Sequence, residues 1–357
     1  MQLQQLAYFL AVARTRHFTR AAELMHVAQP SLSKQIHNLE KELGSELFHR
    51  ARGNVSLTPA GEVLVPFARR ILADVDMARL QLHELAELRQ GRLRLGATPS
   101  LCTGLLADAL ARFRQSYPGI ELVVDESGSR DLVRQLAEGA IDLAVITSPQ
   151  HHGDPPLDTV PILRERLTLA VARDTEPDLV SVRVADLEHR PLVMFRDGYD
   201  LRSMTLNACQ KAGFQPRFAV EGGEMDAVLS FVEAGLGVAV VPSMVLPGRP
   251  KLRGVPFVSP VPTRTIALAH RTDVHPPRAA EAFRTTLLGL LGDAHELGTL
   301  PAGVEMVGTG DRAGATGTPE DPRPAQQEPD SASDIPISEP VAVKTSARTT
   351  QNANSSG

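Results

Sequence analysis

Cysteine is scarce: the 357 residues hold only Cys102 and Cys209. Two thiols exclude a disulfide framework and a four-cysteine zinc site, and they suit a reducing compartment. No apolar run is long enough to span a bilayer, so no membrane partner is expected. Met1 is followed by Gln2, Leu3, Gln4 and Gln5 rather than by the basic and apolar pattern of a secretory leader, and a cytoplasmic location is expected. A P-loop, a dinucleotide fingerprint and a nucleophile elbow are also missing, which argues against an enzyme and against a cofactor. His151, His152 and Asp154 could suggest a metal. They sit in a Pro/Gly-rich loop without helical or strand spacing, so a solvated loop is expected and no metal site.

What is present needs more than one core. A chain of 357 residues with 42% hydrophobic content is expected to fold as two or more domains. Its net charge of −5 is unevenly placed. Through residue 58, Arg14, Arg16, Arg20, Lys34, Lys41, Arg50 and Arg52 outnumber Glu23, Glu40, Glu42 and Glu46. A basic head on an acidic body fits a DNA-binding module joined to something else.

In that head, the first helix is read over residues 3–15 from Leu3, Leu6, Ala7, Leu10 and Ala13, with Phe9 and Phe18 as core. Thr19 is a candidate N-cap for a short second helix. The chain breaks at residues 26–28, and Pro30 suits the first turn of another helix. Leu32, Ile36, Leu39 and Leu43 recur at spacings of three and four and are expected to form one buried stripe. Gly44 is the stop. The opposite face offers Gln29, Ser31, Ser33, Lys34, His37 and Asn38, side chains that read base edges or grip phosphates in a major groove. Arg50 and Arg52, beside Gly53 and Asn54, suggest a basic hairpin tip. Together these describe a winged helix-turn-helix, with residues Gln29, Pro30, Ser31, Ser33, Lys34, His37, Asn38, Arg50 and Arg52 as the DNA-binding set. A merely solvated polar face is the other reading of the same helix.

The pattern Thr19, Ala21-Ala22, Leu24, Gln29-Pro30, Ser33, Ile36, Leu39-Glu40, Leu43-Gly44, Leu47-Phe48, Arg50, Leu57-Thr58 and Ala60-Gly61 resembles the DNA-binding domain of the LysR-type transcriptional regulators. Thr58 and Pro59 read as the cap and first residue of a long helix, to about residue 88. Leu64, Ala68, Ile71, Val75, Ala78, Leu82 and Leu85 alternate four-three, as in a coiled-coil seam. Either this stripe packs on the next domain or it pairs with a second copy; pairing is favoured, giving a homodimer. The resemblance implies the same role for this helix, and further implies a homotetramer and contact with RNA polymerase.

From residue 91 strands and helices alternate, implying βαβ units. Gly139-Ala140-Ile141-Asp142-Leu143-Ala144 and Gly235-Leu236-Gly237-Val238-Ala239-Val240-Val241-Pro242 resemble the family's periplasmic-binding-protein-like effector domain, built of two Rossmann-like α/β subdomains. The resemblance divides the chain into a head at 1–58, a linker helix at 59–90 and an effector domain at 91–297. Subdomain I would hold 92–162 and 267–295, and subdomain II 163–266. Residues 298–357, poor in apolar periodicity, are expected to be a disordered tail.

Ligands of open parallel sheets sit at the carboxyl ends of the strands. Thr98, Ser100, Ser129, Thr147, Arg196 and Gly222 lie there, hydroxyls and amides with one arginine, and suit a small organic anion as effector. Some of the hydroxyls are equally ordinary helix caps, and Arg196 could form a surface ion pair; the resemblance tips Ser100 and Ser129 toward ligand. A peroxide-sensing branch of the family pairs two cysteines in this region. Here Cys209 takes the second place and Asp200 the first, so that switch is excluded. The reading is a sequence-specific DNA-binding regulator whose effector alters operator binding. The rival is a cytosolic solute-binding protein or enzyme with N-terminal helices used only to oligomerise.

Overall fold

A computed structural model describes residues 1–51, 54–83, 91–148, 156–175 and 177–307. The head is α1 (Leu3–Thr15), α2 (Phe18–Leu24) and α3 (Gln29–Leu43), followed by an antiparallel hairpin of β1 (Phe48–Ala51) and β2 (Asn54–Leu57). Helix α4 (Pro59–His83) leaves it. Leu6, Phe9, Val12, Ala22, Leu32, Ile36, Leu39 and Phe48 are its buried core, and the Phe48 ring meets Phe9 at 5.4 Å and Phe18 at 5.8 Å. The α2–α3 turn is sharp because His26 takes a positive φ of 54° and Val27 donates back to the Ala22 carbonyl. His17, not Thr19, caps α2: its ring Nδ1 accepts from Thr19 and Arg20 backbone N–H groups. The imidazole acceptor replaces the hydroxyl expected from composition. Leu43 is exposed, so the stripe of α3 ends at Leu39; the final turn, closed by Gly44 at φ 67°, runs past the core.

Thr58 does cap α4, accepting from Gly61 N–H while donating to the Glu46 carbonyl. The glycine at 61 is required by space: a Cβ there would stand 2.3 Å from the Leu47 carbonyl oxygen. Gly61→Ala is therefore expected to destabilise the head by about 1–3 kcal/mol through overpacking, read as a lower thermal midpoint.

The seam expected along α4 is divided differently. Leu64, Ala68 and Ile71 pack into the head's own core. Val75 is half-buried and Ala78 exposed; Leu85 and the side chain of Leu82 lie outside the described residues. Farther along, α4 touches its own effector domain. Arg69 binds Glu138 at 2.7 Å, Asp74 binds Arg271 at 2.6 Å, and Arg70 pairs with Asp273. Ala73 lies where a Cβ on Gly139 would be, at 2.6 Å. One helix cannot offer the same stripe twice, so Leu64, Ala68 and Ile71 are not open to a second copy.

The effector domain holds two sheets joined through one long strand. In the first, β4 (Ile120–Glu126), β3 (Gly91–Ala97) and β5 (Leu143–Ser148) run parallel. β11 (Thr263–Arg271) pairs antiparallel to β5 and to the first part of β6 (Leu157–Ala172). In the second, the last part of β6 lies between β9 (Ala239–Pro242) and β10 (Leu252–Pro256), and a bridge from Val238 to Leu192 leads to β7 (Pro191–Met194) and β8 (Arg217–Glu221). Helices flank both sheets: a turn at Pro99–Leu101 (α5), α6 (Ala107–Ser116), α7 (Ser129–Ala137), α8 (Asp200–Lys211), α9 (Met225–Glu233) and α10 (Arg278–Glu296). β11 lies wholly in the first sheet, so the chain returns before Thr263 rather than at 266. β6 runs unbroken from Leu157 to Ala172, and its buried side changes along its length as it passes from one sheet to the other. Order also continues past 298. β12 (Val304–Met306) pairs with β6 through Glu165, and Val304 is buried, so the expected tail starts too early; residues 308–357 lie outside the described set.

Candidate nucleic-acid interface and effector cleft

The buried stripe of α3 turns the other side of that helix outward. Gln29, Pro30, Ser31, Lys34, His37 and Asn38 are exposed and Ser33 is half-buried. Six polar side chains and a proline on one rigid helix form a surface of hydrogen-bond donors and acceptors at the width a major groove admits. Arg50 is placed differently from a free phosphate ligand. Its guanidinium donates to Glu40 at 2.6 Å and lies over the Phe18 ring at 5.3 Å. Glu40 is buried and also accepts from Leu47 N–H. Arg50 thus locks the hairpin onto α3 and keeps its remaining N–H groups for solvent or phosphate. Arg52 lies outside the described residues.

In the effector domain the loops after β3 and β4 and the end of β5 meet the segment that opens α8. Thr98 and Ser100 are buried, their hydroxyls 3.5 Å apart. Ser100 accepts from Arg264 Nη1 at 2.7 Å. Ser129 donates to Asp200 across the two subdomains and accepts from Thr147 N–H at 3.1 Å. Gly128 and Gly198 also approach closely here, a Cβ on Gly128 standing 3.0 Å from the Gly198 carbonyl. The Thr147 hydroxyl is buried with no partner. Arg196 is half-buried and spends Nε on Glu224 at 2.7 Å, the ion pair that was its other reading. Gly222, at φ 96°, donates its N–H to the Met194 carbonyl, which leaves that amide unavailable to a ligand.

Several residues at the cleft were invisible as site candidates. Arg264 is 3% exposed and Glu165 0% exposed, and they form an ion pair with Nε to Oε2 at 2.8 Å. The same carboxylate accepts from Met244 N–H at 2.9 Å and from the Ser243 hydroxyl at 3.2 Å. This pair joins facing residues of the antiparallel strands β6 and β11, where β6 passes between the sheets, and links the Ser243–Met244 turn to Ser100. Each arginine or glutamate of a strand looks alike in a sequence; only the antiparallel register of 264 with 165 marks these two. Tyr199, 3% exposed, stacks on Phe195 at 4.7 Å and keeps a buried hydroxyl without a partner. A π-helical turn, Cys102–Leu106, lies beside these loops, with Gly104 packed on Met244.

Burial, and secondarily Glu126, push the Cys102 thiol up to about 12; burial pushes Cys209 up to about 11. Both stay protonated in the folded chain where an unfolded thiol ionises, so stability falls as pH rises past the ordinary 9.0 toward these values. Neither is a ready thiolate. A colorimetric disulfide reagent at mildly alkaline pH is expected to react slowly with the folded chain and with both thiols in denaturant. Fast reaction of Cys102 in the folded chain would contradict this burial. Among the described residues no group of three or more His, Cys, Asp or Glu is placed to hold a metal, and no helix is long and apolar enough to cross a membrane. His151, His152 and Asp154 lie outside those residues.

Comparison with known proteins agrees with this geometry in both parts. Residues 3–62 match the family described as bacterial regulatory helix-turn-helix protein, lysR family, and residues 86–291 match the LysR substrate binding domain. The DNA-binding transcriptional dual regulator OxyR of Escherichia coli (strain K12) is 32% identical over 275 residues, covering 76% of this chain and 90% of OxyR. Among solved structures, a full-length single-residue variant of OxyR from Pseudomonas aeruginosa superposes with a TM-score of 0.63 at 29% identity, covering 80% of this chain and 94% of that one. Full-length CbnR complexed with its target DNA does so with a TM-score of 0.61 at 26% identity, covering 80% and 99%. The chain belongs to the LysR family of DNA-binding transcriptional regulators, with a helix-turn-helix head and an effector-binding α/β domain.

Proposed function

We propose that α3 enters the major groove of an operator with Gln29, Pro30, Ser31, Ser33, Lys34, His37 and Asn38, and that the β1–β2 hairpin, with Arg50 and Arg52, lies along the adjacent backbone. The observation that carries this is the division of α3: Leu32, Ile36 and Leu39 are sealed in the head while the polar side is left open. CbnR, a relative solved with its target DNA, supports the same use of the head.

The protein acts as a homodimer through α4, and as a homotetramer by further pairing, so that two heads meet two half-sites. Leu64, Ala68 and Ile71 are committed to the head, and the dimer face is instead the side bearing Val63 and Phe67, 63% and 60% exposed. The subdomains divide at the middle of β6 and ahead of β11. A small molecule between them shifts the angle of the two halves only as far as it binds one arrangement better than the other, and so alters how paired heads span or bend DNA. RNA polymerase is the partner at the promoter, and the protein works in the cytoplasm without catalysing a reaction.

A band shift with the full chain on duplex flanking its own gene tests this. Wild type is expected to retard the duplex and Asn38→Ala to weaken it by about 1–3 kcal/mol, with relaxed sequence preference. Equal retardation of unrelated duplex by both proteins would remove α3 from base readout.

A further inference from the structure

The cleft described above carries more negative charge than a receptor for a simple organic anion should. Glu126 ends β4, Asp200 opens α8, and Glu224 and Asp226 precede and open α9. Arg196 pairs with Glu224 and Arg249 with Asp226, but Glu126 and Asp200 have no cationic partner among the described residues. The crowding is felt: burial, then Glu224 and Asp226, raise the Glu126 carboxyl above its ordinary value. Like charges held together at a cleft mouth are unfavourable until a cation joins them.

Deeper in, the need is of the opposite kind. The Tyr199 hydroxyl is sealed from solvent, unpartnered, and lies in the fields of Arg264, Glu224, Glu126 and Asp200 together. Arg264 Nη2 stands 2.8 Å from Glu165 but makes no well-directed hydrogen bond, and the buried Thr147 hydroxyl is also unmatched. A hydroxyl, a guanidinium N–H and a second hydroxyl are all donors. Buried donors left unmatched are costly, and one acceptor group could satisfy several of them.

We propose that the effector is a small zwitterion, bound with its carboxylate turned inward to Tyr199, Thr147 and Arg264 and its cationic nitrogen at the mouth beside Glu126 and Asp200. This rests on the regulator reading and corrects its ligand class: hydroxyls and one arginine suggested an anion, but that arginine is spent on Glu224. The inner donors recognise a carboxylate, and the outer carboxylates turn away a second one. An amino acid or an ω-amino acid has this charge pattern, whereas a dicarboxylate or a diamine presents the wrong charge at one end.

The test uses three probes of equal chain length, δ-aminovalerate, glutarate and cadaverine, titrated calorimetrically into the full chain at millimolar concentration. Wild type is expected to bind δ-aminovalerate at least about tenfold tighter than either of the others. Glu126→Gln, an exposed change that spares the fold, is expected to erase the preference over glutarate. Tyr199→Phe is expected to weaken δ-aminovalerate and glutarate alike. Glutarate or cadaverine binding wild type as well as δ-aminovalerate, a preference that survives Glu126→Gln, or no binding of any probe would overturn the assignment. The same preparations are run in the band shift. Retained DNA binding confines such a failure to the ligand class, and lost DNA binding brings down the regulator reading with it.

Discussion

Arg264→Met is expected to destabilise the effector domain by about 3–5 kcal/mol. Glu165 is fully buried, and without the guanidinium it keeps only the Met244 N–H and the Ser243 hydroxyl. An unpaired carboxylate in a core is costly, whereas replacing both partners removes most of that cost. Glu165→Gln combined with Arg264→Met should therefore recover a large part of the loss. Urea denaturation of the three proteins reads it: the midpoint falls in the single variant and returns toward wild type in the double. Equal midpoints for wild type and Arg264→Met would show that the pair contributes nothing where β6 and β11 face each other. Because Arg264 also holds Ser100, the recovered double variant is expected to fold and yet lose ligand affinity.

Phe67→Glu is expected to separate the two heads. Val63 and Phe67 stand one turn apart on α4, on the side the head does not use. A carboxylate placed in the proposed apolar contact would have to be desolvated on pairing with no partner to compensate it. Two linked heads gain about 10²–10⁴ in avidity over one, so the variant should lose DNA affinity on that scale while retaining its fold. Sedimentation separates the outcomes. A monomer with native circular dichroism and weak DNA binding is expected; an unchanged dimer would move the interface elsewhere on the chain. Arg50→Ala is a poorer probe of binding, because it strands Glu40 against the hairpin and mixes folding with recognition.

The head was largely legible because its period is local. Leu32, Ile36 and Leu39 need only each other's spacing to declare a buried side, and the polar face follows from the remainder. Leu43 misled because periodicity does not report where the core underneath stops. The α4 seam misled for a related reason. Leu64, Ala68 and Ile71 satisfy a coiled-coil pattern, but the head supplies the matching surface first. Strand and helix alternation reveals the α/β class, but not the full length of β6, because a strand crossing between two sheets changes its buried side along its length. At the cleft, the positions of Ser100 and Ser129 just after β3 and β4 follow from the strand–helix alternation, while their selection as ligand contacts comes from the resemblance. Arg264, Glu165 and Tyr199 were not legible, since their roles arise from register and stacking between segments far apart in the chain. Asp200 was visible only as the residue standing where a cysteine might have been, and its bond to Ser129 gives it a role across the subdomains.

The outward face of α3 bears the whole account, and fluorescence anisotropy on labelled duplex flanking its own gene tests it most directly, with salt as the variable. Wild type should lose affinity linearly in log salt, Lys34→Ala should flatten that slope by about one counterion, and Asn38→Ala should weaken binding without changing it. Affinity that is insensitive to salt, or identical in wild type, Lys34→Ala and Asn38→Ala, would contradict the placement of α3 on DNA.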